Sequence, residues 1–207
     1  KLFSPYEELY RSLTGEELPE KASPLPGFEL TVSEKQMRIV VDPRRTAIVL
    51  GEVPNIGYCV DNVMMVFRKI SELVKLPPLS RIGARSYWIE ESKLSFNDLI
   101  SAYKRLVYKP INIAEEAIDI GVSFVLASGE CKANIVFGPM EFHQLESVFV
   151  FKPPKLPEVA TFLDIDYHLN MEQKEVTARI LHDFVNSGLN YASEQSKRLM
   201  NLFEEEQ

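Results

Sequence analysis

Phe162-Leu163-Asp164-Ile165-Asp166-Tyr167-His168-Leu169 alternates apolar and ionisable residues with a period of two, the pattern of a strand buried on one face. On that reading Leu163, Ile165, Tyr167 and Leu169 face a core, and Asp164, Asp166 and His168 stand in a row on the other side. A strand of this kind belongs to an antiparallel sheet with one face covered and one face open to solvent.

Working outward from it, the chain after this strand predicts a long helix from near Gln173 to about Phe203, buried through Val176, Ile180, Leu181, Phe184 and Val185. Asn186-Ser187-Gly188 predicts a break or kink within it. Upstream, Ser147–Phe151 reads as a short strand, followed by the stiff proline loop 152–157. Ile118 to Leu126 alternates cleanly, Ser128-Gly129 offers a turn, and Lys132–Phe137 returns as the second arm of a hairpin closed by Gly138-Pro139. Ser95, with Asp98 three residues on, caps a helix over Phe96–Val107 whose buried edge is Leu99, Tyr103 and Leu106. Ahead of that lies a second charged strand, Leu79–Glu90. Its period of two puts Arg81, Gly83, Arg85 and Tyr87 on one face and Ile82, Ala84, Ser86 and Trp88 on the other, and Gly83 suggests a bulge or close approach by another backbone.

The first part of the chain has the same style. Phe28–Val32, Met37–Val41 and Ala47–Val53 read as an antiparallel meander, with Asp42-Pro43-Arg44-Arg45 as one turn. An amphipathic helix follows from Ile56 to about Leu76, capped by Asn55 and stopped by Pro77-Pro78. Met64 and Met65 read as core filling within it. Residues 1–26 read as a tail with a short helix started at Ser4-Pro5. The fold class expected is therefore α+β: antiparallel sheet or sheets with long amphipathic helices packed on one face. Residues 27–207 form a single domain, with β-β-β-α-like halves at 27–110 and 111–207 as its internal division.

Composition narrows the function. The chain has 207 residues, 45% hydrophobic and 26% charged, and a net charge of −7. That balance is the one of a soluble globular protein and disfavours nucleic acid as the main partner, since phosphate backbones select clustered basic surfaces. No apolar run approaches the roughly 20 residues of a membrane helix, and no segment reads as a signal peptide. Cys59 and Cys131, the two cysteines, stand in apolar contexts as expected of buried free thiols in a cytoplasmic protein.

Two readings compete for the row Asp164, Asp166 and His168. Oxygen and imidazole groups at alternate strand positions, with Glu141 and His143 nearby, can hold a divalent metal that activates water. In the other reading Leu79–Glu90 lies beside the aspartate strand, and Arg81 and Arg85 pair with Asp164 and Asp166, guanidinium to carboxylate. That ladder fixes register, and it can also line a ligand-recognising face with Tyr87 and Tyr167. No GxSxG elbow, GxxxxGK[ST] loop or GxGxxG loop is present.

Arg81-Ile82-Gly83-Ala84-Arg85-Ser86-Tyr87, Leu163-Asp164-Ile165-Asp166 and Leu181-His182-Asp183-Phe184 together resemble motifs of a sporadically distributed prokaryotic family of uncharacterised proteins. The similarity spans about residues 35–205. This chain departs from the family pattern at Ala84 and Trp88. The resemblance implies a soluble intracellular protein, carries no activity with it, and adds weight to the arginine and aspartate strands acting together. The resulting expectation is a non-enzymatic module that binds a small ligand or a protein through Arg81, Arg85, Tyr87, Asp164, Asp166 and His168, without a cofactor. A homo-oligomer through the last helix is a further expectation. The alternative is a metal-dependent hydrolase using Asp164, Asp166 and His168.

Overall fold

A computed structural model of the protein describes Arg11 and residues 28–42, 45–73, 78–107 and 118–204. The predicted tail helix, the Pro43-Arg44 turn and the end of the helix before Pro78 lie outside the described residues. The chain divides into two compact units. One takes residues up to 78 with 149–153 and 175–182, and the other takes 79–148, 154–174 and 183 onward. The boundary thus falls at Pro78 rather than at 110, because the strand after Pro78 pairs with the strand around Asp164 far downstream.

In the first unit β1 (Phe28–Val32), β2 (Met37–Asp42) and β3 (Arg45–Leu50) form the expected antiparallel meander in the order β1-β2-β3. Helix α1 (Ile56–Leu73) follows. Leu30, Val32, Met37 and Ile39 from the sheet close on Val66 and Ile70 from the helix, and Met65 packs against this cluster. Asn55 caps α1 as its side-chain oxygen accepts from the Tyr58 N–H at 2.8 Å, satisfying one donor left over at a helix start. Strand β3 stops three residues earlier than predicted. Gly51 still donates its N–H to the Gln36 carbonyl at 2.8 Å, in register with the ladder, and the pairing goes no further because Gln36 turns at φ 44°.

The second unit holds β4 (Leu79–Glu91), α2 (Phe96–Val107), β5 (Val122–Ser128), β6 (Cys131–Glu141), α3 (Phe142–Val148), β7 (Val159–Lys174) and most of α4 (Ala178–Glu204). Its four strands are antiparallel in the order β4-β7-β6-β5. Leu163 and Ile165 of β7 are fully buried, and Tyr167 nearly so. Helix α4 seats on that face, with the Phe184 and Tyr191 rings packed at a tilt against Tyr167 at centroid distances of 5.5 and 5.2 Å. Helix α2 lies on the same side: Tyr103 meets Phe137 of β6 at 5.8 Å. Ser95 caps α2 through the Asp98 N–H at 3.3 Å while its hydroxyl donates to the Asp98 carboxylate at 2.6 Å. The class is α+β, with four helices and two antiparallel sheets among the described residues.

Several boundaries differ from the sequence reading. The segment at Ser147 is the end of helix α3, not a strand. Leu145 is its buried anchor, and the Phe142 N–H donates to the Glu158 carbonyl at 2.9 Å. Strand β6 runs through Gly138-Pro139 to Glu141, because β5 ends at the Val122–Phe137 pair and leaves this stretch bonded only to β7. An edge is where a sheet tolerates proline. Gly138 is needed there, since a Cβ would lie 2.6 Å from the Ile120 carbonyl oxygen. Strand β7 continues to Lys174 with Glu172 and Gln173 at φ 48° and 60°, so α4 starts five residues late, after Thr177. The helix is unbroken at Asn186-Ser187-Gly188. Gly188 is instead a notch in its buried face, where a Cβ would stand 2.8 Å from Tyr167. Leu106 and Ile180, predicted to be buried, are exposed.

Candidate functional site

The face of the four-stranded sheet opposite α2 and α4 carries the charged row. Register sets Tyr87 against Asp164, Arg85 against Asp166, Gly83 against His168 and Arg81 against Asn170 across β4 and β7. On the other flank β6 sets Val136 against Asp164, Asn134 against Asp166 and Lys132 against His168. Side chains of a pleated sheet that share a face stand in such rows.

The ion pairs do not follow the rows. Arg85 leans two residues along β7 and donates to both oxygens of Asp164, Nε to Oδ1 at 2.9 Å and Nη2 to Oδ2. Arg81 leans the same way by four residues, and its Nη2 donates to Asp166 Oδ2 at 2.6 Å. The Arg81 side chain runs past Gly83, where a Cβ would lie 3.8 Å from Arg81 Nη2 and 3.6 Å from Asp166 Oδ1. Gly83 therefore marks no bulge; a bare position leaves a lane for the arginine. The irregularity in this ladder falls between Leu79 and Arg81 instead. Asp166 Oδ2 also accepts from Asn134 Nδ2 at 3.3 Å.

Exposure gives the arrangement its polarity. The Asp164 and Asp166 side chains are 13% and 26% exposed, whereas Arg85 and Arg81 are 58% and 48% exposed. The carboxylates lie beneath and the guanidinium groups form the solvent side. The Arg85 guanidinium also sits 5.3 Å from the Tyr87 ring centroid, within cation–π range. Hydrogen bonding to Asp164 raises the Arg85 pKa above its ordinary value. The Tyr87 phenol is pushed up by burial, with Arg85 acting against that shift.

The sequence placed six residues here, and five of them form two neighbouring groups: Arg81 with Asp166, and Arg85 with Asp164 and Tyr87. His168 stands on the same face, its Nδ1 3.3 Å from the Asp166 carbonyl and 3.9 Å from Asp166 Oδ2. The metal reading loses its ligands, because both carboxylates are taken by guanidinium groups and do not converge with His168 on a common point. Among the described residues no group of three His, Cys, Asp or Glu is placed to hold a metal. Glu141 and His143 pair with each other at 3.6 Å. Glu141 faces Val159, seven residues and so about 23 Å along β7 from Asp166 at the strand rise of about 3.3 Å per residue.

Tyr167, also suggested for this face, lies on the opposite one against α4. Asn134 was missed. The alternation of Lys132, Asn134 and Val136 was visible, but nothing local says which strand lies beside it. Cys59 and Cys131 are free and half-buried, and burial raises the Cys59 thiol. No family model, curated protein or solved structure matches the chain, so the site is interpreted from its own chemistry.

Proposed function

We propose that the protein is a non-enzymatic binding module whose open sheet face recognises a carboxylate or phosphate group carried by a small ligand or a partner protein. The observation that carries this reading is the sunken pair of aspartates beneath two outward arginines. A guanidinium presents five donors in a rigid fork. Arg85 uses Nε and Nη2 on Asp164, which fixes the plane of the group and leaves its other edge for an incoming anion. Holding the donors in place beforehand lowers the ordering cost of binding. Tyr87 beside Arg85 adds a flat, partly apolar wall.

The same pairing opposes a catalytic role for the aspartates. As metal ligand, base or nucleophile, either carboxylate would first have to leave its arginine. The motifs that resemble the prokaryotic family supply both sides of these ion pairs, which supports the two strands acting as one unit. A soluble, cytoplasmic setting belongs to the same proposal. Among the described residues no helix is long and apolar enough to cross a membrane.

The test is a thermal-shift titration with succinate, inorganic phosphate and hexaglutamate, on wild type, Arg81→Lys and Arg85→Gln, with Mg²⁺, Mn²⁺, Zn²⁺ and EDTA as a parallel series. A ligand of the native state raises the melting temperature saturably. The expected result is such a rise in at least one anion series, weakened about tenfold or more by Arg85→Gln. A rise specific to one metal and abolished by Asp166→Ala would overturn the reading. So would anion responses that ignore both arginine substitutions.

A further inference from the structure

We propose that the outer edge of β5 is a self-association surface, pairing with β5 of a second copy of this chain. This inference stands apart from the reading of the arginine face. In the sheet order β4-β7-β6-β5, β5 is a terminal strand, and among the described residues no strand pairs with its outer side. The other three sheet edges carry charge: Glu29 on β1, Arg45 on β3, and Arg81, Arg85, Glu90 and Glu91 on β4, which also has a register irregularity. Charges and irregularities are the usual protection of an edge against strand addition. Strand β5 reads Val122-Ser123-Phe124-Val125-Leu126-Ala127-Ser128, with no charge, proline or glycine.

The hairpin geometry says which groups the edge offers. Gly129, at φ 60°, and Glu130 make a two-residue connection of the kind a II′ turn provides. Ser128 and Cys131 are then the hydrogen-bonded pair that closes it. By alternation, Val122, Phe124, Leu126 and Ser128 bond to β6, and Ser123, Val125 and Ala127 aim their N–H and C=O outward. Those same three residues are exposed.

The occupant follows from the order of side chains about Val125. A two-fold axis at that residue sets Val125 on its own copy, Ser123 on Ala127, and Phe124 on Leu126. Small residues meet small ones, large meet large, and no like charges face each other. Such an isologous contact is self-complementary and closed. It would join two sheets into one of eight strands, with both arginine faces on the same side. The last helix is a poorer surface, since Phe184, Val185, Ala192 and Ser196 are buried on its own unit.

Sedimentation of the full chain, with wild type, Val125→Lys, Val125→Thr and Val136→Lys, tests this. Wild type is expected to sediment at twice the chain mass. Val125→Lys should raise the dissociation constant about tenfold or more, since two lysines would meet at the axis. Val125→Thr and Val136→Lys should leave it unchanged. Melting temperatures near that of wild type would show that each variant folds, as both positions are exposed. In oxidised glutathione, Val125→Cys should give a covalent dimer, the facing Cα atoms being about 5.5 Å apart. Ser123→Cys should not, since its copy lies several residues away. A monomer at every concentration reached would sink the proposal, as would a dimer indifferent to Val125→Lys or a Ser123 cross-link.

Discussion

Removing the two members of the Arg85–Asp164 pair should cost different amounts, and the difference reads the polarity of the site. In Arg85→Met the carboxylate, only 13% exposed, loses a bidentate donor. An unpaired charge costs about 3–5 kcal/mol when fully buried, and the solvent that reaches Asp164 brings the expectation down to about 2 kcal/mol. In Asp164→Asn the guanidinium, 58% exposed, turns to water, and about 0.5–1 kcal/mol is lost. For a chain of this size each kcal/mol moves the melting temperature by about 2–4 °C. The expected shifts are therefore about 4–8 °C for Arg85→Met and about 1–4 °C for Asp164→Asn. The double variant should cost about 1 kcal/mol less than the sum of the two. Circular-dichroism melts and urea titrations of all four proteins measure these quantities. Equal costs, a costlier Asp164→Asn, or strict additivity would refute the picture of a sunken carboxylate under an exposed arginine.

Two other outcomes follow from particular contacts. Gly83→Ala should leave stability within about 0.5 kcal/mol of wild type, because its Cβ meets only ordinary contacts. Gly83→Val should fill the lane of Arg81 and abolish its pairing with Asp166, which a double-mutant cycle with Asp166→Asn would detect as lost coupling. Burial pushes the fully buried Tyr103 phenol well above its ordinary 10.0, with Thr161 opposing the shift in part. Between those two pKa values the unfolded state holds fewer protons. The contribution is complete below pH 10 and falls by about 1.4 kcal/mol per pH unit above it. Urea titrations in that range should show a shallower decline for Tyr103→Phe, and an identical decline would count against the buried phenol.

Local chemistry carried much of the fold. The alternation at Leu163–Leu169, the Ser95–Asp98 box and the stripe of α1 each reflect forces acting within a few residues, and the structure follows them closely. The misreadings come from contacts distant in sequence. Gln173 looked helical because nothing nearby shows that Lys174 pairs with Leu79. Gly188 looked like a break because its use, close approach to Tyr167, depends on β7 lying beneath it. Ser147–Phe151 looked like a strand because its apolar residues are β-branched and aromatic, while the position of Leu145 in the core selects a helix. At the site, the types of partner were legible from charge alone. The diagonal offset and the part of Asn134 were not, since a period of two specifies a face and leaves the register open.

That offset bears on what the ladder is for. A pair of arginines needed only to hold β4 against β7 would sit directly across from their aspartates, where cross-strand pairs are closest. Here Asp166 stands opposite Arg85 yet is held by Arg81, reached over a glycine, and by Asn134 from the strand beyond. Both guanidinium groups are thereby drawn from the margin of the sheet onto β7, the second strand in. Arg85 comes beside Tyr87 there, and Arg81 shares its aspartate oxygen with Asn134. Two strands, β4 and β6, thus contribute donors to one patch whose negative charge, on β7 between them, lies underneath. Register alone requires none of this convergence, whereas the anion-binding face proposed above would use it, because fixed donors with a common outward side are what such a ligand binds.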